Sequence, residues 1–137
     1  MKTIVLGYDD SESAVRALGR VLELADAFDA YVVAVSAAHA LVPAGHGIGP
    51  LDPVDPPELH REQLAHARAA LDKLDLAAEY EVGLGDPAEV ILTAAETHDA
   101  DLIVVGTSEP GLLARLLGLS VSENVQRRAH CDVLIVH

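Results

Sequence analysis

Three short clusters of this sequence carry side chains and backbone suited to holding a ligand. Asp9-Asp10-Ser11 sets two carboxylates beside a hydroxyl, groups that accept hydrogen bonds from sugar hydroxyls or cap a helix. Gly106-Thr107-Ser108 joins two hydroxyls to a residue without a side chain, which would admit a ligand close to the backbone. Gly118-Leu119-Ser120-Val121-Ser122 precedes an apolar-periodic segment and reads as the start of a helix. The free N–H groups and dipole of a helix start favour phosphate, and Ser120 and Ser122 add donors. Ser120 acting only as an N-cap is the simpler reading of the same residues.

Other chemistries fit the sequence less well. Asp9 and Asp10 are sequence neighbours and do not readily converge on one atom, and Asp10 is placed to cap a helix, so no carboxylate catalysis is expected. No nucleophile–base pair stands out, and the chain reads as a binding protein without catalytic residues. Gly45, Gly47 and Gly49 form GxGxG inside a long loop, which is not a dinucleotide fingerprint, and no P-loop motif occurs. His60 and His66 are six apart and do not share a helical face, and no HExxH occurs. The histidines therefore read as scattered and solvated, with no metal site expected; His39 and His46 read as loop residues. Cys131, the lone cysteine, excludes an internal disulfide and a CxxC pair, and its apolar setting suggests a buried structural thiol.

The elements that would position these clusters follow from hydropathy. Thr3 to Tyr8, Tyr31 to Ser36, Asp101 to Gly106 and Asp132 to His137 are nearly continuous apolar runs, the pattern of strands covered on both faces. Ala78 to Val82 alternates polar and apolar residues, as a half-exposed edge strand does. Between the strands lie helical patterns. Val15, Leu18, Leu22 and Ala25 share one face after Asp10 and Ser11. Leu64, Ala67, Leu71 and Leu74 share another, with Pro56 and Pro57 at its start. Asp86-Pro87-Ala88-Glu89 reads as cap, first-turn proline and capping box, followed by Ile91, Ala94, Ala95 and His98. Val121, Val125 and Ala129 mark a last helix. The one long connection runs from Ala37 to Pro56.

Alternating strands and helices predict a single α/β domain over residues 1–137, a doubly wound five-stranded parallel sheet of order 3-2-1-4-5 with helices on both faces. Ligands of such sheets sit beyond the carboxyl ends of the strands where the order reverses, here between the first and fourth. The clusters at Asp9 and Gly106 fall at that point. Composition bounds the partners. Nine basic against 22 acidic residues leave a net charge of −13, which disfavours nucleic acid and anionic membranes. No apolar stretch approaches the roughly 18 residues of a membrane span, and the opening MKTIVLGYDD lacks a signal-peptide core, so a cytoplasmic location is expected.

These residues carry a resemblance along essentially the whole chain. TIVLGYDDSESA, VGLGDPAEVIL and DLIVVGTSEPGLLARLLGLSVSENVQRRAHCDVLIV resemble the universal stress protein family. The resemblance implies an α/β domain that usually dimerises and that, in one branch, binds ATP or related adenine nucleotides. That branch has a pattern of Gly, two residues, Gly, nine residues, Gly, then Ser or Thr. Gly106, Ser120, Val121 and Ser122 match it, while Glu109 and Leu119 stand where glycines belong and Gly118 sits one place early. Asp9 matches the family's adenosine-side Asp, with Ser11 and Thr107 beside the same site, and Val35 matches the strand-two Val that packs near adenine.

The departures predict a weakened phosphate end. Glu109 brings a carboxylate and Pro110 removes a backbone donor. Two like charges about 4 Å apart at an effective dielectric of about 20 repel by roughly 4 kcal/mol. Arg115 or Mg²⁺ accompanying ATP would offset this. The expected function is an adenine-nucleotide-binding regulatory module, holding ATP or AMP, with a degenerate phosphate loop. The alternative is a dimeric interaction protein of the same fold that binds no nucleotide. A homodimer is expected through the apolar edge strand Val133 to Val136.

Overall fold

A computed structural model describes residues 1–38, 57–107 and 121–137. Along them strands and helices alternate: β1 (Thr3–Gly7), α1 (Glu12–Phe28), β2 (Tyr31–Ala38), α2 (Pro57–Lys73), β3 (Ala78–Leu84), α3 (Pro87–Thr97), β4 (Leu102–Gly106), α4 (Val121–Arg128) and β5 (Asp132–Val136). The five strands form one parallel sheet in the order β3-β2-β1-β4-β5. The order reverses between β1 and β4, as the alternating pattern predicts.

Side-chain alternation along each strand divides the core in two. Ile4, Leu6, Val32, Ala34, Leu102 and Val104 point to one face, where α1 and α2 cover them with Val21, Ala25, Leu64, Ala67 and Leu71. Val5, Val33, Val35, Ile103 and Val105 point to the other, under Ile91 and Ala95 of α3 and Val125 of α4. The central strands are therefore fully buried, which is why they read as unbroken apolar runs. β5, expected to be covered likewise, is only half-buried along Val133 to Val136, because it lies at an edge of the sheet.

The starts of α1 and α3 depart from the sequence expectation at Asp10 and at Glu89. Ser11, not Asp10, caps α1, its Oγ accepting the Ala14 N–H at 3.2 Å. Asp10 instead takes a left-handed backbone, with φ of 63°. Asp86 caps α3 as expected, accepting the Glu89 N–H at 3.1 Å, with Pro87 in the first turn. The Glu89 carboxylate does not complete a capping box; it pairs with Arg128 of α4 at 2.7 Å and ties the two helices of that face.

Two apolar positions expected on buried helical faces are exposed: Val15 at 51% and Leu74 at 47%. The face of α1 is set by Ala14, Ala17, Leu18, Val21 and Ala25, which lie against β1 and β4 and leave Val15 on the far side. Leu74 follows the end of α2 and so falls off its helical stripe. β2 runs on through Ala37 and Ala38, two residues into the predicted long connection, because β3 pairs with it that far.

Candidate functional site

Beyond the carboxyl ends of β1, β2 and β4 lies a cavity of about 460 Å³. Its floor is Gly7, Val35, Val105 and Gly106 at the strand ends, with Ile91 of α3 on one side. Asp9 and Ser11 line its β1–α1 wall, and His60 and Gln63 line the wall supplied by α2. Of the residues expected at the site, Asp9, Ser11, Val35, Gly106 and Val121 are brought together around this one space. They come from four separate segments, and the parallel crossovers are what bring them to one rim.

Thr107 and Ser122 do not line the cavity. The Thr107 N–H donates to the Val136 carbonyl at 2.9 Å and extends the β4–β5 pairing, and Ser122 is buried on α4. Gly118 and Ser120, with Ser108, Glu109, Pro110, Arg115 and Leu119, lie outside the described residues, as do His39, His46 and the GxGxG glycines.

The β1–α1 turn is held by side chains. Asp9 Oδ1 accepts the Ser11 N–H at 3.0 Å, which turns the chain into α1 and leaves the carboxylate on the cavity wall. Asp10 points away from it: Tyr8 Oη donates to Oδ1 at 2.6 Å, and His66 Nδ1 of α2 bonds Oδ2 at 2.7 Å. The left-handed backbone at Asp10 is thus tied at both carboxylate oxygens, so the two adjacent aspartates face different ways. This agrees with the expectation that they do not converge. Burial, the hydrogen bond to Asp10, and the charges of Asp10 and Asp9 push the Tyr8 hydroxyl up, so it stays a donor at any ordinary pH.

Gly106 has a packing reason that the sequence did not reveal. A Cβ there would stand 2.5 Å from the Ser13 carbonyl carbon and 2.6 Å from its oxygen. The end of β4 rests directly on the first turn of α1, and only glycine allows that approach. The residue shapes the cavity floor by letting α1 close on the sheet.

Two residues of the cavity were missed or misjudged. His60, expected to be solvated, is 6% exposed and is hydrogen-bonded through Nδ1 to Ser36 Oγ of β2, itself 2% exposed. The fold thus sets a serine beside a histidine, a pairing that sequence reasoning did not find because 24 residues separate them. Gln63 was not singled out at all. It lies one turn after His60 on α2, and its Oε1 is buried with no hydrogen-bond partner. A buried acceptor left without a donor costs about 1–3 kcal/mol. The hint in the sequence is a glutamine beside the stripe of His60, Leu64, Ala67 and Leu71 that α2 buries.

Away from the cavity, Glu79 and Glu81 of β3 and His98 at the end of α3 place ligand-type atoms within 4.8 Å of one another. His98 Nε2 bonds Glu81 Oε1 at 2.6 Å, and Tyr31 Oη donates to Glu79 Oε2 at 3.0 Å. Sequence reasoning, which expected no metal site, missed this grouping. It is assembled by a helix end and a sheet edge 17 residues apart in sequence. No helix among the described residues is long and apolar enough to cross a membrane.

Comparison with known proteins gives a consistent result. The model of the universal stress protein family matches residues 1–137. A universal stress protein of Mycobacterium tuberculosis is 34% identical over 147 residues, covering 99% of this chain and 96% of its own. One from Methanocaldococcus jannaschii is 36% identical over 140 residues, covering 98% and 81%. Among solved structures, a universal stress protein in complex with cAMP is 30% identical, with a TM-score of 0.75, covering 99% of this chain and 96% of that one.

Proposed function

Since this chain belongs to the universal stress protein family, we propose that it is an adenine-nucleotide-binding regulatory module of the stress response, with a phosphate loop that departs from the family pattern. The observation that carries the reading is the cavity at the β1/β4 reversal. Asp9, Val35 and Gly106 meet there, the residues that match the family's adenosine side and its first phosphate-loop glycine. The relative in complex with cAMP supports the same ligand class. In this reading Asp9 accepts hydrogen bonds from ribose hydroxyls, Val35 packs against the base, and Ser120 holds phosphate. The protein acts by binding, not by catalysis, in the cytoplasm, and as a homodimer paired through Val133 to Val136 of β5.

Ligand choice follows from charge. Each added phosphate brings negative charge towards Glu109 on a chain with a net charge of −13. AMP is therefore favoured relative to ATP more than in family members with glycine at that position, and Mg²⁺ narrows the gap. Calorimetric titration with adenosine, AMP and ATP, with and without Mg²⁺, tests this on the natural chain and on Glu109→Gly. The substitution should strengthen ATP binding more than AMP binding. An ATP preference present from the start and unmoved by the substitution would overturn the charge argument. No binding by any of the three would favour the second reading, an interaction module of the same fold, which Glu109, Pro110 and Leu119 support. Light scattering at micromolar concentration checks the dimer: a monomeric mass would overturn it, and a charged residue at Ile135 should dissociate it.

A further inference from the structure

We propose that Gln63 reads the base, selecting a purine with an amine at position 6 over one with a carbonyl there; this rests on the nucleotide reading above. Gln63 and His60 form the α2 wall of the cavity, and Val35 lies on its β2 floor. His60 is engaged with Ser36 and is fixed in place by it. Gln63 differs, because its Oε1 is buried and no donor reaches it.

A buried carboxamide oxygen calls for an N–H, and its own amide nitrogen offers a donor beside it. Adenine presents that complement along one edge, with a 6-amine donor next to the N7 acceptor, the pairing glutamine makes with adenine elsewhere. Hypoxanthine and guanine present O6 and N7, two acceptors, so only the amide nitrogen can pair and the buried oxygen stays unmatched. The terminal amide torsion is soft, so the group turns to meet the base with little strain. The contact is between neutral groups, so the net charge of −13 does not weaken it.

The test is calorimetry of the full chain with AMP, IMP and purine riboside 5′-monophosphate, which lacks the 6-amine. The natural chain should bind AMP about 10- to 100-fold more tightly than either of the others. Gln63→Leu should bring AMP and IMP to within about threefold, chiefly by loss of AMP affinity. Gln63→Met, closer in length, should do the same, with circular dichroism confirming that both variants are folded. An AMP preference undiminished in both variants overturns the assignment of Gln63 and leaves the nucleotide reading standing. Equal binding of AMP and purine riboside monophosphate by the natural chain overturns it without any variant. No binding of AMP by the natural chain overturns the nucleotide reading, and this inference with it.

Discussion

Aspartates crowd both rims of the sheet, in different surroundings. At the amino-end rim, Asp29, Asp75 and Asp99 each take a left-handed backbone just after α1, α2 and α3. Asp101 accepts the N–H groups of Lys2 and Thr3 at 2.7 and 2.9 Å. The Asp75 and Asp99 N–H groups close short turns onto Asp72 and Glu96, and Asp101 is met by backbone that β1–β4 pairing brings alongside. At the carboxyl-end rim, Asp10 has the same left-handed backbone, but its partners are Tyr8 and His66, the latter 56 residues away. Asp9 and Gln63 face a cavity. The amino-end rim is tied by backbone groups and keeps a cavity of about 260 Å³ beside Asp99; the carboxyl-end rim is tied by side chains around a cavity of about 460 Å³. The difference is one of what ties each rim, backbone at one and side chains at the other.

The sharpest way to break the carboxyl-end rim is to push α1 off the end of β4. Gly106→Ala should destabilise by about 1–3 kcal/mol, because the added methyl meets the backbone of Ser13 rather than a yielding side chain. Urea unfolding measures it, and a neutral result would show that α1 can back away from β4. Asp86→Ala, which uncaps α3 beside the same rim, should cost about 1 kcal/mol.

One substitution made at both rims should separate them further. Asp29→Gly relieves a left-handed backbone at a helix end and should gain up to about 1 kcal/mol. Asp10→Gly relieves the same strain but strips Tyr8 and His66 of their shared partner. It should fall short of Asp29→Gly by about 1 kcal/mol. Equal values would mean that the Tyr8–Asp10–His66 contacts do not stabilise the turn.

The smallest effect lies at the amino-end rim and depends on pH. The N–H groups of Lys2 and Thr3 hold the Asp101 carboxyl below its usual range. A group depressed in the folded state adds stability that is present above its unfolded value and is lost as pH falls through the folded one. Asp101→Asn should therefore lower the melting temperature slightly at pH 7. The difference from the natural chain should close below about pH 4. A difference that persists at pH 2 would assign the effect to shape rather than charge.

The strands were legible because burial on two faces demands unbroken apolar runs, and Ile4, Val33 and Ile103 supply them. Asp86-Pro87 gave the start of α3 from local chemistry alone. The misreadings came where local signals compete. Asp10 and Ser11 are both good caps, and the choice between them was made by Tyr8 and His66, which claim the Asp10 carboxylate. Val15 fits a helical stripe by spacing, but the sheet meets α1 along Ala14, Ala17 and Val21 instead.

By itself, the sequence determined the alternation of strands and helices, the order of the sheet and the point where that order reverses, because those follow from periodicity and the handedness of parallel crossovers. Its motifs also indicated Asp9, Val35 and Gly106. Only the tertiary structure decided that Gly106 answers to α1, that His60 is buried against Ser36, and that Gln63, a cavity residue, buries an unmatched oxygen. Each of these depends on which atoms meet across segments far apart in the chain. Hydrogen bonds and close contacts act over about 3 Å, and no pattern of sequence spacing encodes that distance.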